Sequence, residues 1–167
     1  LGLVFRHQGA EARADVVARI AKAAGRPADA NGQHRKAATA VPASARVPRA
    51  APLRIALLGT GAYASGSILP VLAEFRERVA FELLAGTVPA RRDPLARQFG
   101  FARTASSYAE AAGDPGTDLV VVVTRHDQRA ELIVPALAAG RAVFTEKPLA
   151  LREGEIERIA AQLSRGG

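Results

Sequence analysis

Cysteine, methionine and tryptophan are absent from the 167 residues, and aromatic residues make up only 5% of them. Without a thiol the chain can form no disulfide, carry no cysteine nucleophile and build no thiolate-ligated zinc or iron-sulfur site. No apolar run approaches the roughly 18 to 20 residues needed to span a bilayer. Residues 1–5 are too short, and wrongly flanked, for a signal-peptide core, so a cytoplasmic product with no membrane partner is expected. The start at Leu1, with no methionine anywhere, suggests a sequence that begins inside a longer protein.

What is present is 49% hydrophobic and 23% charged residues, enough for one domain with a buried core and too little for two large ones. The formal net charge is +7, unevenly spread: residues 1–52 hold nine Lys/Arg against three Asp/Glu, and residues 53–167 hold fourteen against thirteen. The basic front could attract phosphates nonspecifically. No aromatic residue lies between Arg13 and Arg49 to stack on bases, so a nucleic-acid partner is not expected.

Residues 25–52 are rich in Ala, Pro, Gly and Arg and follow neither a period of 2 nor one of 3.6, which reads as a linker. Before it, residues 10–24 fit one helix with Val16, Val17 and Ile20 as its apolar positions. The division is therefore a flexible basic arm and linker over 1–52 and a folded domain over 53–167. In the second part short β-rich runs alternate with helical stretches. Strands are expected over 55–58, 81–87, 119–124 and 142–145, with a weaker one near 101–103. Helices fit 66–78, 94–99, 107–112, 127–139 and 153–163. Such alternation implies a parallel sheet with right-handed crossovers, hence an α/β doubly wound domain of Rossmann type.

The first strand of that pattern runs into Gly59-Thr60-Gly61-Ala62-Tyr63-Ala64 and then a helix, the GxGxxA form of the dinucleotide fingerprint. Gly59 permits the tight turn, Gly61 lets backbone amides approach a pyrophosphate, and Ala64 allows close helix-sheet packing. The N–H groups of the helix start then hold the phosphates. The second strand ends near Thr87 without the acid that binds ribose hydroxyls in NAD-preferring domains, and Arg91 and Arg92 follow. Two guanidiniums there can clamp a 2'-phosphate, which leans toward NADP over NAD. The bland alternative is a solvated turn, and Asp93 could serve NAD if the loop folds back.

Two polar clusters follow later strands: Thr124-Arg125-His126-Asp127 and Thr145-Glu146-Lys147-Pro148. Ligands of doubly wound sheets bind at the carboxyl ends of strands. A lysine beside a nicotinamide can exchange a proton with a carbonyl/hydroxyl oxygen and stabilise alkoxide, although Glu-Lys at a strand end also fits a surface ion pair. His126 suits a helix cap or the lining of a cofactor pocket. His7 and His34 have no partner at metal spacing, and no metal site is expected. Tyr63 and Tyr108 have no lysine at the spacing of short-chain dehydrogenases.

GTGAYA at 59–64 and TRHDQRAELIVPALAAGRAVFTEKPLAL at 124–151 resemble the nucleotide-binding half of the Gfo/Idh/MocA oxidoreductases. The resemblance covers about 53–163 and is most specific at the EKP tripeptide. It implies hydride transfer between NAD or NADP and a sugar, cyclitol or similar polyol, with Glu146 near the ribose and Lys147 at the reacting oxygen. The wording is most similar to a subset in which this domain follows a zinc-type alcohol dehydrogenase module, of which residues 1–6 would be the tail. Arg129 departs from the histidine of many members, and Arg141 from a common lysine. The family's sixth strand, its substrate domain and the histidine that partners the lysine would fall beyond Gly167. A fragment is thus expected, one that binds dinucleotide with little turnover and takes polyol only if the missing domain is supplied. A homo-oligomer stays open. The rivals are a noncatalytic dinucleotide sensor and a basic interaction module.

Overall fold

The computed structural model describes residues 3–5 and 51–165. The helix expected over 10–24, most of the linker, His7 and His34 lie outside the described residues. The strands are β1 Leu3–Phe5, β2 Leu53–Leu58, β3 Val79–Ala85, β4 Arg103–Ala105, β5 Leu119–Val122 and β6 Ala142–Thr145. The helices are α1 Leu69–Ala73, continuing a π-helical turn at Ala64–Ile68, then α2 Pro89–Phe99, α3 Tyr108–Ala112, α4 Arg129–Ala138 and α5 Glu153–Arg165.

Strand composition explains the layering. On β2 side chains alternate between the faces of the sheet, so Ile55 and Leu57 join one core and Ala56 and Leu58 the other. The first core takes Leu69 and Leu72 from α1 and Ala96 and Phe99 from α2. The second takes Ala111 and Ala112 from α3, Ile133, Ala136 and Leu137 from α4, and Ile159 from α5. β5, Leu-Val-Val-Val, is buried along its whole length, as a central strand covered on both faces must be. Three of the eight aromatic residues cluster: the Phe81 ring lies 5.0 Å from Phe101, edge on, and 6.4 Å from Phe99.

The strand order is β1-β6-β5-β2-β3-β4. Pairs among β2 to β6 are parallel, and β1 joins β6 antiparallel, with Leu3 opposite Thr145. This is the doubly wound sheet expected, with one unforeseen strand: residues 3–5, read from sequence as the tail of an upstream module, lie at the sheet edge. After β4 the chain crosses from one side of β2 to the other, so the order reverses between β2 and β5. A crevice opens at that point, outside the carboxyl ends of those strands.

Two helices differ from expectation. The helix placed over 94–99 starts at Pro89, which occupies the first helical position. Either proline suits that position, and the chain uses the first, leaving Pro94 inside the helix. The helix placed over 66–78 gives way to turns after Ala73, from which Val79 enters β3.

Candidate functional site

At the reversal point lies a cleft of about 710 Å³, within the size range of small-molecule sites. Its floor is the glycine turn. Gly59 has φ of +119°, and a Cβ there would stand 2.8 Å from the Val123 carbonyl oxygen. Only glycine permits this approach between the end of β2 and the end of β5. At Gly61 a Cβ would meet nothing within 4 Å, and Gly61 lines the cleft, so its missing side chain leaves the space open. Helical backbone follows at once. Ala64 does not line the cleft. It is buried beneath the turn, where a small residue lets helix and sheet meet.

Those features pass the test for a dinucleotide: a turn that only glycine can make, unfilled space above Gly61, and amides at a helix start. Gly59, Thr60, Gly61, Ala62 and Tyr63 line one side of the cleft, and Thr124, Arg125, His126, Glu146 and Lys147 the other. Thr87 and Arg91 line it beyond β3. Among the described residues, no group of three or more His, Asp or Glu side chains is arranged to hold a metal ion. No helix among them is long and apolar enough to cross a membrane.

The two arginines expected to act together are separated. Arg91 faces the cleft. Arg92 is buried, its Nη1 donating to the Ser106 hydroxyl at 2.8 Å and the Gly86 carbonyl at 3.3 Å, its Nε to Asp93 at 2.7 Å. The pair sits on α2, where neighbouring side chains diverge by about 100°, and with Arg92 committed to those acceptors only Arg91 lines the cleft. Asp93 is held by Arg92 and does not line the cleft. Gly86, which sequence reasoning passed over, packs closely against the turn: a Cβ on it would lie 2.6 Å from Thr60 Cγ2, so that side chain would have to move.

At the other end Tyr63 reaches from the glycine turn and donates its hydroxyl to Glu146 Oε1 at 2.8 Å. Burial, then the hydrogen bond to Glu146 and its negative charge, push the Tyr63 phenol up to about 12, with Arg129 opposing. Tyr63 is therefore a neutral donor throughout the working pH range. Glu146 is buried and Lys147 exposed, the latter preceding a cis bond to Pro148. His126 opens a 3-10 turn, His126–Gln128, without capping α4 by its side chain, and lines the cleft. Arg129 was not expected here. It lines the cleft, its Nη1 donating to the carbonyls of Glu146 at 2.8 Å and Pro148 at 2.9 Å. No local motif announces such a contact, because its acceptors lie 17 and 19 residues away.

Comparison with known proteins agrees with this geometry. Residues 53–167 match a family model described as the oxidoreductase family, NAD-binding Rossmann fold. A trans-1,2-dihydrobenzene-1,2-diol dehydrogenase of Oryctolagus cuniculus is 38% identical over 77 residues, which are 46% of this chain and 23% of that protein. The scyllo-inositol 2-dehydrogenase (NAD(+)) of Bacillus subtilis is 30% identical over 77 residues, 46% of this chain and 22% of that protein. Among solved structures, an NAD binding oxidoreductase from Klebsiella pneumoniae superposes with a TM-score of 0.60 at 28% identity, covering 70% of this chain and 33% of that one. A 3-ketoreductase from Actinomadura kijaniata in complex with NADP gives a TM-score of 0.62 at 26% identity, covering 69% and 36%. The matched stretches thus span about a quarter of these curated relatives and about a third of these solved chains. With the family match running from β2 through α5, the chain belongs to the Gfo/Idh/MocA oxidoreductases and carries their NAD-binding Rossmann domain.

Proposed function

We propose that this chain is the cofactor-holding part of an NAD(P)-dependent oxidoreductase acting on the CH–OH group of a sugar, cyclitol or similar polyol and its keto form. The observation that carries the reading is the cleft at the strand reversal, where the glycine turn and Lys147 share one space. The bound nicotinamide would supply the hydride acceptor or donor. The chain's own residues bind and orient. Amides after Gly59 and Gly61 would hold the pyrophosphate, Glu146 would meet the nicotinamide-side ribose, and Lys147 would exchange a proton with the substrate oxygen or balance its charge. The division into an arm over 1–52 and a cofactor domain over 53–167 belongs to the same reading, with residues 3–5 lent to the sheet. So does a cytoplasmic setting, on the ground of the dinucleotide pool it would draw on.

Arg91 alone faces the adenosine end, which supports a preference for NADP over NAD through one guanidinium rather than two. Fluorescence titration with NADPH and NADH tests this. Arg91→Ala should weaken NADPH binding about tenfold, the equivalent of losing one charge-assisted hydrogen bond of roughly 1.5 kcal/mol, and leave NADH binding little changed. Equal or tighter binding of NADH by the unaltered chain refutes the preference. Binding of neither refutes the functional reading.

The exposure of Lys147 at the cleft favours a second reading, a dinucleotide-binding module without turnover. Such a module would keep its behaviour after Lys147→Ala.

A further inference from the structure

We propose that Arg129 is a positioning residue for Lys147, acting through the backbone on both sides of it. The proposal takes from the functional reading only that Lys147 is the group that meets substrate. Lys147 is exposed, and its side chain makes no hydrogen bond or ion pair with the described residues. Its aim is therefore set by the path of its backbone. The carbonyls that bracket it, those of Glu146 and Pro148, are both taken by Nη1 of Arg129, at 2.8 and 2.9 Å. A guanidinium Nη carries two hydrogens, one for each carbonyl, so a single nitrogen ties down the segment before and after the lysine.

The tie is anchored at its far end. Arg129 opens α4, whose Ala130, Ile133 and Ala136 are buried in the second core. Arg129 itself is only 4% exposed. Burial lowers its pKa from the ordinary arginine value while Glu146 and Tyr63 raise it. Its Nε is buried without a hydrogen-bond partner among the described residues. A buried donor left unpaired costs free energy. Retaining the cation here is therefore poorly explained by packing alone, and the two carbonyls are what it serves. On the opposite side Tyr63 holds the Glu146 carboxylate, so the backbone and side chain preceding Lys147 are fixed from different elements. An imidazole carries one hydrogen per nitrogen and would release one of the two carbonyls, so histidine is not an equivalent residue in this setting.

The test compares the full chain with its Arg129→Met, Arg129→Lys and Arg141→Met variants. Arg141 is the control: its Nη1 holds the Thr117 carbonyl at 2.8 Å and its Nε is likewise buried without a partner, but it lies at the amino end of β6. Hydrogen exchange of the 146–152 segment, followed by mass spectrometry without cofactor, reads the tie directly. Exchange there should rise severalfold in Arg129→Met, less in Arg129→Lys, and stay unchanged in Arg141→Met. Lysine-directed labelling gives the second readout, since Lys147 is the sole lysine after Lys36. NADPH should protect Lys147 in the unaltered chain and fail to protect it in Arg129→Met, even though fluorescence still reports binding.

Unchanged exchange over 146–152 in both Arg129 variants overturns the proposal. So does an equal rise in Arg141→Met, which would reveal general loosening. Should Arg129→Met fail to fold, Arg129→Lys decides by the same exchange measurement. Loss of dinucleotide binding by the unaltered chain would refute the functional reading alone, because the exchange result is obtained without cofactor.

Discussion

Gly59 and Gly61 stand two residues apart in one turn, yet their missing side chains serve different ends. Alanine at Gly59 would have to adopt φ of +119° with its Cβ 2.8 Å from the Val123 carbonyl oxygen. Gly59→Ala is expected to cost about 1 to 3 kcal/mol of stability, read from a denaturant midpoint. At Gly61 a side chain meets open space, so Gly61→Val should change stability by no more than about 0.5 kcal/mol. It should nevertheless reduce dinucleotide affinity about tenfold or more, measured by titration. A Gly61→Val variant that binds normally would remove the pyrophosphate from this turn. The same division separates Arg91 from Arg92: adjacent letters in the sequence, one facing the cleft and one bracing the ends of β3 and β4.

Between elements, charge pairs tie the periphery. Arg103 on β4 donates to Asp114 with both terminal nitrogens and to Glu82 on β3 with Nε, at 2.8 to 2.9 Å. The Arg103 hydrogen bond is the main cause holding the Asp114 carboxyl below its ordinary range, helped by the Gly116 amide against desolvation. A carboxyl lowered in the folded state adds stability above its unfolded pKa and loses that contribution as pH falls through the folded value. The Arg103→Met variant should therefore show a shallower loss of stability between about pH 5 and pH 2 than the unaltered chain. Thermal melts across that range check it, and parallel acid limbs would contradict it. Arg158→Met, which breaks a more exposed pair with Glu131 linking α5 to α4, should alter the limb less.

Those elements were unequally visible beforehand. β6 has the bounds its sequence suggests, Ala142–Thr145, because an apolar run between Gly140 and a polar cluster defines both ends. β5 stops at Val122, two residues short of expectation, because Val123 and Thr124 turn into the cleft. β1 was not legible: three residues carry no period, and their pairing with β6 is a tertiary event. The site divides likewise. The glycine turn at 59–63 was readable because turn chemistry is local, whereas Ala64, read with it, packs below and does not line the cleft; Glu146-Lys147 stood out by its resemblance to a family tripeptide, since a Glu-Lys pair at a strand end alone fits a surface ion pair as well. The roles of Tyr63 and Arg129 were not legible, since each depends on a partner brought near only by folding, 83 residues away for Tyr63 and 17 for the first Arg129 acceptor.

For the molecule as a whole, the cleft is open to solvent, with Gly61, Tyr63, Arg125 and Lys147 all exposed along it. A hydride acceptor in so exposed a cleft would be loosely positioned and wet, and both conditions slow transfer. The chain assayed alone with candidate polyols should accordingly bind dinucleotide while turning over little, and robust cycling would overturn that expectation.

The antiparallel strand at the sheet edge has a practical corollary. β6 runs toward the cleft and β1 runs away from it, with Leu3 opposite Thr145, next to Glu146. The described strand therefore begins, at Leu3, at the end of the sheet edge where β6 gives way to Glu146 and Lys147. An affinity tag or fluorophore attached at that end becomes a neighbour of the cofactor site and is positioned to perturb, or to report, what enters it.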